Sequence, residues 1–234
     1  MPDRRLMLIT GSRKGIGRYL AEYYLERGYE VVGCSRQSSD LSAGHYHHYS
    51  VDVTRETEVR KLMAEIWQRH RRLDVLINNA AVNQALALLL MVPYEAAQRT
   101  IEVNLLGTFL VCREAIKLML QNKFGRVVNF SSMAVRHEVR GEAVYAATKA
   151  AIITMTRILA KEVYPYGVTC NVVAPAAIDS DLMRGVDAEA LSQVLERNAI
   201  PTPGKMADVS NAIDFLLKEE SRAITGQTVF LGGA

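Results

Sequence analysis

The chain has 234 residues, a length that fits one large domain with a substantial core. Its formal net charge of +3 is too small to indicate nucleic-acid binding, which usually needs a concentrated basic stripe. The longest apolar run, residues 85–92, is far shorter than the roughly 20 residues that span a bilayer. Cys34, Cys112 and Cys170 are far apart and form no CxxC pair, which favours a reducing, cytoplasmic setting. We therefore expect a partner that is neither nucleic acid nor membrane.

Apolar runs of strand length alternate along the chain with longer segments of helical periodicity. In chain order they predict a strand at 6–10, a helix at 15–27, a strand at 30–34, a helix at 54–68, a strand at 74–77, a long helix at about 93–120, a strand at 126–131, a helix at 141–164, a strand at 168–173, a helix at 207–217 and a strand at 228–231. Continuously apolar strands are buried on both faces, as in a parallel sheet covered by helices. The sequence therefore predicts one doubly wound α/β domain of the Rossmann type over residues 1–234.

Three histidines, His45, His47 and His48, lie close together in a stretch where tyrosines alternate with them. A metal site is one interpretation of this tract. We favour a strand or loop with ordinary histidines, because no cysteine or matching carboxylate lies nearby and such short tracts are only compositional hints.

A glycine-rich turn, TGSRKGIG at 10–17, joins the first predicted strand to the first helix. Gly11, Gly15 and Gly17 let the backbone turn tightly and approach a pyrophosphate, which the free amides of the helix start would bind. The spacing is Gly-x3-Gly-x-Gly, not the general G-x-G-x-x-G fingerprint. The position between strand and helix favours a dinucleotide site, although a purely structural turn remains an alternative.

The charges near this turn indicate which dinucleotide is bound. An acidic residue at the end of the second strand would bind the ribose 2′-hydroxyl and repel a 2′-phosphate. This chain has Cys34, Ser35 and Arg36 there and no acid before Asp40. Because Arg13 and Lys14 would add two cations near Arg36, we predict NADP(H) as the cofactor.

Tyr145 and Lys149 are four residues apart, which places both side chains on one face of a helix. A tyrosine titrates near pH 10, and a nearby cation is expected to lower that pKa toward the working pH. Ser132 follows a predicted strand at the edge where ligands bind, and Asn104 is a polar residue in an apolar helix. These four residues predict acid/base chemistry on a carbonyl; the alternative is a surface pair on a helix.

Eight stretches that span nearly the whole chain resemble the short-chain dehydrogenase/reductase family. They are TGSRKGIG (10–17), VDVT (51–54), NNA (78–80), VNLLGTF (103–109), GRVVNFSS (125–132), YAATK (145–149), NVVAP (171–175) and ITGQT (224–228). The resemblance implies a catalytic tetrad of Asn104, Ser132, Tyr145 and Lys149. Tyr145 would be the acid/base, Ser132 would orient the carbonyl, Lys149 would lower the tyrosine pKa and hold the nicotinamide ribose, and Asn104 would support a proton relay.

The resemblance also implies the rest of the cofactor site and the assembly. The cofactor residues would be Gly11, Arg13, Lys14, Gly15, Ile16, Gly17, Arg36, Asp52, Val53, Asn79, Ala80, Tyr145, Lys149, Pro175 and Ile178. Asp52 and Val53 would border the adenine, Asn79 would brace the sheet, and Pro175 and Ile178 would flank the nicotinamide. Seven parallel strands and a homotetramer or homodimer joined by the central helices are expected.

Three residues depart from the family pattern. Ala81 stands where glycine commonly follows Asn-Asn-Ala, Ala176 stands where glycine commonly follows the sixth-strand proline, and Ser180 replaces a threonine. The methyl groups of Ala81 and Ala176 would crowd the cofactor where the backbone approaches it. Because every catalytic position is kept, we interpret these changes as tuning.

Within the family, the likeness is greatest to the 3-oxoacyl-thioester reductases. Lys123 would serve as a carrier-protein contact at the active-site entrance, whereas Tyr166 stands where a second cation is expected. A substrate lid is expected at about 180–204, with apolar Leu182, Met183, Val186, Leu191 and Ile200. The apolar residues 85–91 would form a subunit interface or core, or else a substrate wall. The main prediction is a ketone reductase acting on a small carbonyl or acyl thioester; the alternative is a cofactor-binding sensor without turnover.

Overall fold

The computed structural model describes residues 4–178, 192 and 195–233, and its centre is a sheet of seven parallel strands. The strands are β1 Leu6–Thr10, β2 Glu30–Ser35, β3 Tyr46–Ser50, β4 Val75–Asn78, β5 Gly125–Phe130, β6 Val168–Ala174 and β7 Thr228–Phe230. Their order in the sheet is β3-β2-β1-β4-β5-β6-β7. The predicted doubly wound Rossmann fold is confirmed.

Helices cover both faces of this sheet. They are α1 Gly15–Glu26, α2 Glu56–His70, α3 Tyr94–Ile101, α4 Thr108–Asn122, α5 Ala134–His137, α6 Ala143–Val163 and α7 Met206–Leu217. Short 3-10 turns lie at Leu89–Met91, Tyr164–Tyr166 and Glu220–Ala223. Most predicted boundaries are within two residues of these, and β3 identifies the tyrosine–histidine tract as a strand.

The strand β1 shows why the core has two layers. Side chains alternate across a strand, so Leu6 and Leu8 point to one face of the sheet and Met7 and Ile9 to the other. The first face packs against α2, α4 and α6, and the second face packs against α1 and α7. Because both faces are covered, all five residues of β1 are buried, which explains its continuous apolar sequence.

The long helix predicted at about 93–120 is divided in the structure. A π-helical segment, Glu102–Gly107, separates α3 from α4. Gly107 packs against Val53, and a β-carbon at position 107 would lie 2.8 Å from the Val53 Cγ2 atom. Periodicity alone does not distinguish a π-helical segment from α-helix, and such segments are common at functional sites.

The sheet order places a cleft between β1 and β4. The chain runs outward from β1 through β2 to β3 and then returns to β4 on the other side of β1. Ligands of open α/β sheets bind at the carboxyl ends of the strands at this reversal point. Thr10 and Asn78 end the two strands in register, so the loops after them border the cleft.

The central helices α4 and α6 keep apolar side chains on their outer surfaces, including Phe109 and Ile158, and Leu106 of the π-helical segment is exposed as well. By length and composition the helix segment Ala143–Tyr166 would also be able to cross a membrane. However, α6 packs against β6 and buries Thr156 and Lys149, as the core helix of a globular domain does. The expected assembly through these helices stays a prediction.

Candidate active site

The glycine-rich turn leads from β1 into α1 at the edge of the cleft. Gly11 and Gly15 have φ values of +69° and +59°, a region that residues with side chains rarely adopt. The helix α1 begins at Gly15, and no side chain of the described residues caps it at Lys14. The first amides of α1 are therefore available to a bound anion, which the helix dipole also favours.

Gly17 holds the turn against the neighbouring strand. A β-carbon here would overlap the Gly11 carbonyl oxygen and lie 2.5 Å from the Asn79 Nδ2 atom. We expect Gly17→Ala to lower the free energy of unfolding by about 3 kcal/mol and to weaken NADPH binding, because overpacking displaces the turn. Chemical denaturation and cofactor titration would measure both effects.

Gly44→Ala is the matched control, because a β-carbon there meets no atom within 4 Å. We expect its unfolding free energy to stay within about 0.5 kcal/mol of the parent protein. Equal stability of the two variants would contradict the proposed close packing at Gly17.

The ends of β1 and β4 are joined by hydrogen bonds around Thr10. The Asn79 and Ala80 amides donate to the Thr10 hydroxyl at 3.1 and 3.0 Å, and the Asn79 side chain donates to the Thr10 and Gly11 carbonyls. This arrangement fixes the turn relative to the loop after β4. It matches the bracing position that the resemblance implies for Asn79.

The end of the cleft nearest β3 contains an ion pair that the sequence did not reveal. Arg99 of α3 donates to the Asp52 carboxylate at 3.0 Å and to the Thr54 hydroxyl at 3.3 Å. Burial alone would raise the pKa of Asp52, but hydrogen bonds from Thr54 and Arg99 outweigh it and hold the pKa below its usual value. Asp52 is thus a charged, fixed group beside Val53, where the resemblance implies the adenine.

Three cationic side chains border the same part of the cleft. Arg13, Lys14 and Arg36 all line it, and none has an ion pair among the described residues. By contrast, Arg18 is paired with both Glu22 and Asp40. The unpaired charges are therefore located where the sequence predicts a 2′-phosphate.

The predicted catalytic side chains meet at the opposite end of the cleft. Ser132 follows β5, while Tyr145 and Lys149 lie one turn apart on α6. The Ser132 hydroxyl lies close enough to Tyr145 to influence the pKa of its phenol, and the Lys149 Nζ lies 5.7 Å from the centre of the Tyr145 ring. The ammonium of Lys149 donates to the Phe130 carbonyl at 3.0 Å.

The pKa of Tyr145 differs from the sequence-based expectation. Burial raises it, the nearby Ser132 hydroxyl opposes that rise, and the charge of Glu142 adds to it. Lys149 was expected to lower this pKa, but its ammonium points at the Phe130 carbonyl, and burial lowers the pKa of Lys149 itself to about 8. Tyr145 is therefore a neutral phenol at pH 7, which is the form of a proton donor.

Asn104 lies inside the π-helical segment and is fully buried. Its side chain exchanges two hydrogen bonds with the backbone of Val82, at 2.8 and 2.9 Å, and donates to Thr148 at 3.2 Å. Asn104 thus ties the loop after β4 to α6 beside Lys149. Its implied part in a proton relay stays a prediction.

Most of the predicted cofactor residues border a single cleft of about 680 Å³. Those that line it are Gly11, Arg13, Lys14, Gly15, Ile16, Arg36, Asp52, Val53, Asn79, Ala80, Tyr145, Lys149 and Pro175. Gly17 lies behind the turn. Ile178 was predicted beside the nicotinamide, but it does not line the cleft; it is buried in the core with α7, because a bridge to Gly204 turns it inward.

Several residues that line the cleft were not predicted, because the sequence indicates them only weakly. They include Ser35, Gln37, Val51, Val82, Asn83, Arg99, Val103, Phe130 and Ser131. Most are loop or strand-end residues next to predicted ones, so proximity to the motifs was the only available indication. Ala81 and Ala176 also line the cleft, which agrees with the expected crowding at these two positions.

The substrate end of the cleft is only partly described. Ser180 and the lid residues Leu182, Met183, Val186 and Leu191 lie outside the described residues, and Ile200 is exposed. Of the apolar stretch at 85–91, Ala85 is buried, whereas Leu86 and residues 88–91 are exposed. These exposed residues are not core, so a subunit interface and a substrate wall remain.

Contrary to the prediction, Lys123 does not lie at the entrance to the cleft of its own subunit. Lys123 ends α4 just before β5, and Tyr166 lies just before β6. Both positions are at the amino ends of the strands, whereas the cleft lies at the carboxyl ends. The resemblance alone suggested the entrance, although both residues precede predicted strands and therefore belong to the opposite edge of the sheet.

Comparisons with known proteins agree with this architecture. A family model described as enoyl-(acyl carrier protein) reductase matches residues 11–233. The chain is 29% identical to 3-oxoacyl-(acyl-carrier-protein) reductase FabG of Escherichia coli over 99% of this chain and 97% of the relative. It is 33% identical to FabG of Rickettsia bellii over 97% of this chain and 94% of the relative.

Solved structures give the same result. ElxO with NADP bound superposes with a TM-score of 0.90 at 30% identity and covers 97% of each chain. Aldohexose dehydrogenase of Thermoplasma acidophilum in ligand-free form has a TM-score of 0.90 at 28% identity, covering 98% of this chain and 93% of that one. A variant of actinorhodin polyketide ketoreductase with NADPH has the same score at 26% identity, covering 100% and 97%.

Proposed function

Since the chain belongs to the short-chain dehydrogenase/reductase family, we propose that it reduces a ketone to a secondary alcohol with NADPH, or catalyses the reverse, with Tyr145 as the acid/base. The observation that carries this proposal is the position of Tyr145. Its phenol lines the cleft together with Ser132 and stands one helical turn from Lys149, at the end opposite the three cations. Relatives named as reductases and a neighbour with NADP bound support the same activity.

The residues present fit the cofactor. Arg13, Lys14 and Arg36 would hold the 2′-phosphate, the amides of the glycine turn would hold the pyrophosphate, and Asp52 with Val53 would border the adenine. Lys149 would hold the nicotinamide ribose. NADPH supplies the hydride when it is bound.

The catalytic side chains would then bind the substrate carbonyl oxygen and supply its proton. Ser132 donates a hydrogen bond to the substrate carbonyl oxygen and so orients the carbonyl carbon toward the nicotinamide. Tyr145 donates its phenolic proton to the oxygen as negative charge develops there. Burial raises the pKa of Tyr145, so the phenol keeps its proton at neutral pH.

A 3-oxoacyl thioester is the substrate class that the relatives favour, because several of them are named as 3-oxoacyl-(acyl-carrier-protein) reductases. Neighbours that are named for aldohexose and polyketide substrates make those carbonyl compounds the first comparisons.

The test is turnover of an acetoacetyl thioester, followed by the loss of NADPH absorbance, with NADH in a parallel reaction. We expect turnover with NADPH at least about tenfold faster than with NADH at equal, subsaturating concentration, since three cations face the 2′-phosphate. Aldoses and quinones form the comparison panel. Cofactor binding without turnover of any carbonyl compound would overturn the reductase function in favour of a cofactor-binding sensor.

A further inference from the structure

Two side chains of β3, Tyr46 and His48, have no part in the function proposed above and yet lie directly behind the cofactor cleft. Side chains alternate along a strand, so Tyr46 and His48 share one face of β3 and His47 points to the other. His47 contacts Glu30 at 3.2 Å on that opposite side. Tyr46 is buried and His48 is half-buried.

A chain of hydrogen bonds links the glycine turn to the loop after β2. Tyr46 OH lies 3.0 Å from Ser12 Oγ and 2.9 Å from His48 Nδ1, and His48 Nε2 lies 3.0 Å from the Gln37 carbonyl oxygen. The carbonyl only accepts, so Nε2 carries the proton and Nδ1 of the neutral imidazole accepts from Tyr46. Ser12 in turn donates to the Tyr46 oxygen. Each side chain in this series of hydrogen bonds therefore has a partner.

The backbone of β2 leaves room for this chain of hydrogen bonds at a single position. Gly33 lies against it, and a β-carbon there would overlap both the Tyr46 hydroxyl and the Ser12 hydroxyl and lie 2.8 Å from Tyr46 Cε2. Ser12 is itself fully buried. The four residues Ser12, Gly33, Tyr46 and His48 therefore fit one another across three strands or turns.

The part of the loop after β2 that lies next to Arg36 has few other supports, whereas Asp40, further along, is paired with Arg18 of α1. Among the described residues, positions 36–42 make no main-chain to main-chain hydrogen bond. The Gln37 carbonyl accepts from Ser35 Oγ at 2.6 Å and from His48, which also lies 3.0 Å from Ser35 Oγ. The part of the loop next to Arg36 is thus attached to the sheet through Ser35 and His48.

Arg36 stands between the two residues that His48 contacts, and it lines the cleft with Arg13 and Lys14 of the glycine turn. Ser12, at the other end of the hydrogen-bond chain, immediately precedes Arg13. The chain Ser12–Tyr46–His48–Gln37 therefore connects the two segments that carry the unpaired cations. It would set the distance between these cations.

We propose that His48, acting through Tyr46 and Gln37, is a positioning residue that holds Arg36 opposite Arg13 and Lys14 and so determines selectivity for a 2′-phosphorylated dinucleotide. This inference rests on the proposed function, which places the 2′-phosphate against these cations. His48 itself does not line the cleft and does not touch the cofactor. A substitution of His48 is therefore expected to weaken binding of the 2′-phosphate alone. Binding of the adenine and the pyrophosphate and the rate of hydride transfer should not change.

The test compares the dissociation constants of NADPH and NADH, two ligands that differ only in the 2′-phosphate. Nicotinamide fluorescence would be titrated for the parent protein, His48→Leu, His48→Gln and His47→Leu. We expect His48→Leu to weaken NADPH binding about five- to tenfold and NADH binding by less than about twofold, since one neutral hydrogen-bond chain is lost. His48→Gln keeps an N–H donor for the Gln37 carbonyl and should restore most of the selectivity. His47→Leu, on the opposite face of the strand, should leave it unchanged.

The kinetic constants are expected to show the same selectivity, with a change in KM and none in kcat. His48→Leu should raise KM for NADPH by the same factor and leave kcat at saturating NADPH unchanged, because Tyr145 lies at the other end of the cleft. Equal weakening of NADPH and NADH would assign His48 a general structural role and overturn the proposal. Should His48→Leu fail to fold, Tyr46→Phe removes only the hydroxyl of the chain; unchanged selectivity in that variant would overturn the proposal as well.

NADPH and NADH binding by the parent protein shows whether a failure concerns this inference or the function on which it rests. If the parent binds NADH as tightly as NADPH, the placement of the 2′-phosphate fails, and the role of His48 fails with it. The reductase chemistry would still be decided by turnover of the acyl thioester. If the parent selects NADPH and the His48 variants do so equally well, the inference alone fails.

Discussion

Tyr145→Phe is expected to lower kcat for carbonyl reduction by about 10²- to 10⁴-fold, the usual contribution of a positioned general acid. The phenylalanine ring keeps the volume of the side chain and removes only the proton donor. NADPH binding should change little, because the cations and the glycine turn lie at the other end of the cleft. Single-turnover absorbance of NADPH with an acetoacetyl thioester, together with fluorescence titration of NADPH, measures both quantities.

Tyr164→Phe is the matched control for this experiment. Tyr164 follows the last residue of α6 and is exposed, at the end of the helix away from Tyr145. The control variant should keep the parent kcat. A Tyr145→Phe variant that retains more than about a tenth of the parent kcat would show that another group, or water, supplies the proton.

The sequence predicted the fold well because its strands are buried on both faces. Continuous apolar runs such as β1, with all five residues buried, have few alternatives to a parallel sheet. The turn at Gly11–Gly17 and the pair Tyr145–Lys149 were also apparent, since their spacing along one strand–helix junction and one helix face is local information. Local patterns of this kind place residues on elements without any knowledge of tertiary contacts.

The features that sequence analysis missed depend on contacts between distant segments. The ion pair of Arg99 with Asp52 joins residues 47 positions apart, and the inward turn of Ile178 depends on Gly204. The direction of the Tyr145 pKa depends on burial, which the Tyr-x-x-x-Lys spacing does not contain. Sequence analysis indicated no role for His48 and Tyr46 of β3, because their partners, the Gln37 carbonyl and the Ser12 hydroxyl, lie on other segments.

Lys149→Met is expected to abolish most activity and yet to stabilise the protein. Lys149 is almost fully buried, and the only hydrogen bond of its ammonium among the described residues is the one to the Phe130 carbonyl. Burial lowers its pKa from 10.5 to about 8. A shift of this size corresponds to about 3 kcal/mol, of which about 1 kcal/mol is offset by the lost hydrogen bond. The variant should therefore gain about 2 kcal/mol at pH 7, while kcat falls at least about a hundredfold.

The sign of this effect follows from proton binding. The folded-state pKa of Lys149 lies below the unfolded value of about 10.4, so the unfolded chain binds more protons between about pH 8 and pH 10. The penalty is complete below about pH 8 and disappears as the pH rises through the unfolded value. The advantage of Lys149→Met should therefore be largest at neutral pH and shrink toward pH 10.

Denaturant unfolding at pH 7 and at about pH 9.5, at one protein concentration and without cofactor, measures this dependence. Lys161→Met is the matched control, since Lys161 lies on the same helix and is exposed. Its unfolding free energy should stay within about 0.5 kcal/mol of the parent at both pH values. A Lys149→Met variant that is less stable than the parent at pH 7 would contradict the cost assigned to the buried ammonium. A stable but inactive variant would show that the chain keeps this charge for catalysis at the expense of stability.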